Sequence, residues 1–315
     1  MRKYGLPLLL SILFILLLLY PGITKAGASE RLFLWYNSIV PILFPFIILS
    51  NLMDATDSFS WFLQPLFLIK KLVPFLHPWY YYAMLLGFFC GYPMGAKVLC
   101  DLIRKNKISV SEGNLLLPVI NQASPMFLAG YVGVQILENA LPLSALFLFL
   151  YLPPLLFFFV SVFLTNISKK TTKKELPYPD QLYHQTKKDS MPLSMEHTIW
   201  DSFFIIVTIG VYMMLFSILM KLASTIFPQS DLVAIGSCFL EFSTGLHQLK
   251  EITLLTKQVK YSLILALTSF GGFCTMAQTY SITRDTGLSM KSYFIKKGII
   301  AFFVFWLAYS SLSSS

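Results

Sequence analysis

The chain has 315 residues, 56% hydrophobic and only 12% charged, with a mean hydropathy of +0.68. Soluble domains carry about 25% charged residues, so there is too little polar sequence here to clothe a soluble core. The net charge of +9 does not signal nucleic acid: the Lys and Arg sit in loops between apolar stretches and form no aromatic-interleaved recognition surface.

Residues 5–24, 32–53, 141–166, 202–222 and 298–312 approach or exceed the roughly 20 residues that a spanning helix needs, the last if extended back through Tyr293. At the amino terminus, Arg2-Lys3, an apolar run and Ala26-Gly27-Ala28 have the form of a signal peptide. The run from Gly5 to Thr24 is long for such a segment, and a retained helix is expected. Residues 58–76, with Trp61, Gln64 and Lys70-Lys71, suit an interfacial amphipathic helix.

Two glycine-broken apolar segments follow, one in each half. They are Leu86–Gly95, containing Gly91, Tyr92, Pro93 and Gly95, and Ser269–Met276, containing Gly271 and Gly272. Each precedes a basic stretch and a Ser-led helix start, at Ser109 and Ser289. Ser50-Asn51-Leu52-Met53 is echoed by Ser217-Ile218-Leu219-Met220. Paired interruptions at corresponding places are the sequence pointer to a transporter's midplane site. Unwound backbone at membrane depth is tolerated only inside protein or along a cavity.

Three polar sets accompany these breaks. Lys97 and Asp101 follow the first at i, i+4 spacing and are expected to pair. Asn121, Gln122, Ser124 and Pro125 interrupt the apolar stretch Leu115–Val134, where two amides would suit a polar ligand. Glu241, Ser243, Thr244 and Gly245 put a carboxylate at the centre of a predicted span, 231–249; an intramembrane carboxylate is a functional candidate by default. Gln278 continues the polar edge of the second glycine break, and Cys90 and Cys274 flank the two breaks. Glu241 is expected opposite Lys97 or the Asn121–Pro125 amides, with half-helix amino termini favouring an anionic group.

The basic segment 168–196, with six lysines, is read as a cytoplasmic linker. Keeping the basic loops on one side makes 60–104 interfacial or re-entrant and 261–285 re-entrant. The predicted fold is therefore all-α: a polytopic membrane protein with two pseudo-symmetric halves containing broken or re-entrant helices. Its expected divisions are an N-terminal transmembrane anchor (1–31), a first membrane repeat (32–167), the linker (168–196) and a second membrane repeat (197–315). P-loop, HExxH and GxSxG signatures are absent, and the four histidines lack metal-ligand spacing, so neither an enzyme nor a metal or other cofactor is expected. The expected partners are a small-molecule solute, the lipid bilayer, and further copies of the chain or other membrane proteins.

Gly91-Tyr92-Pro93-Met94-Gly95-Ala96-Lys97, then Asn121 to Pro125, then Glu241 to Gly245, resemble three ordered motifs of the sporulation integral membrane protein YlbJ family, within the nucleoside-recognition (Gate) domain group. Ser243-Thr244 stands where that family usually has Thr-Asn, and Ala123-Ser124 near a usual Ser-Asn pair. The resemblance implies a bacterial endospore-former, a cell-membrane or spore-envelope location, and a permease for a small polar or anionic organic solute. Dipicolinate is the solute it first suggests and nucleosides are the alternative; a scaffold without transport is the competing class.

Overall fold

The computed structural model describes residues 2–56, 58, 77–165, 195–227, 236, 239–252 and 255–312. Most of the amphipathic segment expected at 58–76, most of the linker at 168–196, and Cys238 lie outside them. Every regular element among the described residues is helical. Among the described residues, five segments are long and apolar enough to cross a membrane: Val110–Ile136, Leu143–Leu164, Thr198–Ile226, Lys257–Thr283 and Met290–Leu312. Large apolar side chains such as Phe159, Phe163, Phe204, Phe302 and Trp306 face outward on them, as a lipid-facing surface requires. The chain is a multi-pass integral membrane protein.

The first apolar segment is not one straight span. α1 (Arg2–Leu19) and α2 (Pro21–Leu34) meet at a 99° bend. The cause is local: Pro21 lacks an amide donor and disfavours helix at the residue before it, and Tyr20 is non-helical. α2 runs on through a π-helix, π1 (Trp35–Ile39), into α3 (Val40–Ala55). α2 and α3 both pack on a long helix from the second half, α8 (Met195–Ile226). Gly27 makes this possible: a Cβ there would lie 3.1 Å from the Ile218 backbone. Trp35 covers Gly210 and donates from Nε1 to Ile206 O at 2.9 Å.

α4 (Pro78–Cys90) and α5 (Met94–Arg104) form a helical hairpin around Gly91-Tyr92-Pro93. Cβ atoms placed on Gly87 and Gly95 would stand 2.6 and 2.8 Å from the same atom, Ile120 O. Eight residues of continuous helix would separate them by about 12 Å. Residues 78–104 thus fold back on themselves as a hairpin. α6 (Val110–Ile120) begins with a Ser109–Glu112 capping box, breaks at Asn121–Ser124, and resumes at Pro125 into π2 (Leu128–Ile136). α7 (Leu143–Thr165) packs on both parts.

In the second half, the chain breaks at Glu241 before α9 (Phe242–Glu251). Glu241 is thus at a helix end rather than centred in an unbroken span. α10 (Lys257–Phe270) and α11 (Gly272–Thr283) are separated only by Gly271, which is left-handed at φ +84°. The re-entrant turn expected at 261–285 is instead a span-length, interrupted segment: α11 packs on α5, α8 and the last helix, α12 (Met290–Leu312). Both Ser-led starts are helix starts, since Ser289 accepts from Ser292 N before α12 as Ser109 does before α6.

In chain order, a break beside a short helix (Gly91, Glu241) is followed each time by a broken span (Asn121–Ser124, Gly271).

Candidate functional site

A broken helix inside a membrane leaves carbonyls without intrahelical partners, and each must find a donor. Here donors come from the other broken segments or their supports. Tyr92 N donates to Gln122 O at 2.8 Å. Tyr92 Oη donates to Thr268 O at 2.9 Å, one turn before the Gly271 break. Tyr151 on α7 serves Ala123 O at 2.8 Å, and Lys297 on α12 serves Asn121 O at 3.0 Å. At the fourth break the bond goes instead to a first-turn carbonyl: Tyr131 on π2 donates to Ser243 O. The Tyr92 ring also meets Phe242 edge-on at 5.6 Å. All four breaks therefore converge on Tyr92.

Beside this junction lies a cavity of about 310 Å³. Such a volume stands at the lower end of small-molecule sites. Its polar wall comes from Ser124, Tyr131, Glu241, Ser243, Thr275 and Gln278, and its apolar wall from α2, π1, α3, α8 and the aromatic Phe127 and Phe242. Gly91 brings the hairpin close: a Cβ there would come within 2.7 Å of Ser124 N. Cys90 and Cys274 both line it.

Glu241 is 2% exposed and caps α9. Its backbone carbonyl accepts from Gly245 N, while Oε1 accepts from Ser243 N at 3.1 Å and Ser243 Oγ at 2.6 Å. A carboxylate here complements the positive helix end. Its ion-pair partner is Arg31 of α2, with Nη2 at 3.5 Å from Oε2, and Arg31 Nη1 donates to Ser243 Oγ at 3.0 Å. The expected partner Lys97 is elsewhere, bonded to Asp101 at 2.5 Å as its i, i+4 spacing foretold. Glu241 does not need it, because α2 carries a nearer cation into the core.

Lys297, fully buried, does the converse at a helix carboxyl end. It donates to Asn121 O and to Gln122 Oε1, both at 3.0 Å, and stands 5.8 Å from the Tyr92 ring centroid. The carbonyl end of α6 is where a cation is favoured. Asn121 Nδ2 in turn donates to Thr279 Oγ1 and Tyr293 Oη, both at 2.9 Å.

Of the sequence-read candidates, Gly91, Tyr92, Ser124, Glu241, Ser243 and Gln278 line the cavity. Asn121 and Gln122 turn to α11 and α12 and hold the junction from behind. Pro93, Pro125, Gly245, Gly271 and Gly272 shape the backbone around it, as does Thr244, whose side chain is outside the described set. Gly95 seats the hairpin on Ile120. Sequence reasoning missed Arg31 and Lys297. Arg31 stands at the edge of the expected anchor. Lys297 lies near the basic Lys291 and Lys296, though Tyr293, Lys297, Ile300 and Val304 recur at the 4-3-4 spacing of one helix face, which could have found it. Among the described residues no group of three or more His, Cys, Asp and Glu side chains could hold a metal ion.

Comparison along most of the chain agrees with the motif resemblance. The chain is similar to sporulation integral membrane protein YlbJ. That protein, from Bacillus subtilis (strain 168), is 25% identical over 319 aligned positions, covering 88% of this chain and 75% of the relative. The stretch includes most of the membrane segments described above. No protein-family model matches the chain, and no solved structure matches it.

Proposed function

We propose that this protein is a membrane permease for a small polar or anionic organic solute, acting in sporulation. The observation that carries the reading is the convergence of four helix breaks beside one cavity, with a carboxylate on its wall. Backbone breaks in a membrane are costly unless satisfied, and here a whole set of side chains is committed to satisfying them. A scaffold that only joins helices would need neither the breaks nor the cavity. The likeness to a sporulation membrane protein supports the setting, and dipicolinate is the solute the motif resemblance suggests. The reading requires no covalent chemistry.

In this scheme the solute enters beside Tyr131 and Ser243 and sits against Glu241. Purified protein in liposomes should take up a labelled aromatic dicarboxylate or a nucleoside above protein-free vesicles. Glu241→Gln should remove uptake while leaving folded protein, since the amide keeps size but loses charge. Uptake at the wild-type rate by this variant contradicts the reading.

A further inference from the structure

We infer that Arg31 is the group that receives the solute's carboxylate, with Glu241 holding that place until the solute arrives; this rests on the permease reading above. Arg31 is 4% exposed, and a guanidinium carries five N–H donors in a planar fork. Among the described residues one hydrogen bond of good length uses them, the 3.0 Å contact to Ser243 Oγ. The approaches to Glu241 at 3.5 Å and to Glu30 at 3.9 Å are longer than the roughly 2.7–2.9 Å of a charge-assisted hydrogen bond. Nε has no hydrogen-bond partner among the described residues. A buried guanidinium used this sparingly is matched to a bidentate carboxylate, its best geometric complement.

Glu241 does not fill that role in this state. Its Oε1 is engaged by the amide and hydroxyl of Ser243. Glu30 is held at 2.6 Å by Lys221 on α8 and is half-exposed. Glu241 and Ser243 both line the cavity while touching the guanidinium. A modest shift of the Glu241 side chain therefore brings a solute carboxylate onto the fork. The other buried cations among the described residues are committed: Lys97 to Asp101, and Lys297 to Asn121 and Gln122 beside the Tyr92 ring. Return of Glu241 to Arg31 then releases the solute, so the same carboxylate weakens binding and permits turnover.

The test uses purified full-length protein in detergent, with isophthalate as the anionic probe and isophthalamide as its uncharged isostere. Binding is read by calorimetry and by the rise in melting temperature. Isophthalate should bind at least about tenfold more tightly than the diamide. Arg31→Lys should weaken isophthalate about tenfold, because it keeps charge but loses the fork. Arg31→Gln should weaken it about 100-fold. Glu241→Gln should tighten it, having removed the resident competitor. Equal affinity for the diamide, no binding of isophthalate, or wild-type affinity in Arg31→Lys would each overturn the assignment. If Arg31→Gln does not fold, the diamide and Arg31→Lys comparisons decide. Nucleoside uptake without isophthalate binding would leave the permease reading standing and remove Arg31 from it; no uptake of any solute by folded protein would end both.

Discussion

The Tyr92 hydroxyl donates to the carbonyl of Thr268, 176 positions away, at 2.9 Å. Thr268 O is the carbonyl that Gly272 N would have taken in an unbroken helix. A side chain from one break thus completes the backbone of another, and the hairpin and the broken span are fixed to each other by that bond. Tyr92→Phe should keep the ring contact with Phe242 but orphan a buried carbonyl. It should lower stability by about 1–3 kcal/mol, read as a fall in melting temperature of the detergent-solubilised protein.

Gly87→Ala and Gly95→Ala should each destabilise by about 1–3 kcal/mol, because the new methyl would meet Ile120 O inside contact distance. Gly298→Ala, on α12 with nothing within 4 Å of the new atom, should leave stability unchanged or slightly raised. Equal behaviour of the three variants would contradict the hairpin's seat on α6.

Lys297→Met keeps the length and apolar stem but removes the donor from Asn121 O and Gln122 Oε1. Each orphaned acceptor should cost about 1–3 kcal/mol. The expected outcome is a large loss of monodisperse protein on size-exclusion chromatography, with the remainder melting well below wild type.

How much of this was legible in the sequence depends on what each residue does. Glycines and prolines marked the breaks at Gly91 and Gly271, because they act locally through missing Cβ atoms and amide donors. Glu241 marked itself by being a carboxylate in an apolar setting. Arg31 and Lys297 did not, because their roles depend on partners 210 and 176 positions away in the chain for Glu241 and Asn121, and nothing local distinguishes a buried cation from a loop cation. A span interrupted by a single left-handed glycine and a true hairpin look alike in sequence; what separates them is whether the second helix packs on its predecessor or on distant elements.

Outside the spans, Glu138 and Lys250 tie the loop after π2 to the end of α9 at 2.6 Å, and Lys250 also donates to Gln135 O at 3.2 Å. The hydrogen bond from Lys250, then its charge, hold the Glu138 carboxyl below its ordinary range, and the bond to Glu138 holds the Lys250 ammonium above its own. The pair's contribution is therefore present above the ordinary carboxylate pKa and lost as pH falls through the lowered value. For the lysine it is present below the ordinary amine pKa and lost as pH rises through the raised one. Melting temperature should show no Glu138-dependent change across the neutral range, and the small effect of Glu138→Gln there should fade in high salt.

The most direct measurement fills the cavity. Gly130 lines it, and an added Cβ would meet nothing within 4 Å. Gly130→Phe should fold with near-normal melting temperature and reach the membrane at normal abundance, yet reduce solute uptake into liposomes by at least about tenfold, because the ring occupies the solute's space. Gly298→Phe, on another helix, serves as the control and should transport normally. Wild-type uptake by folded Gly130→Phe would contradict the claim that this cavity is the solute's path.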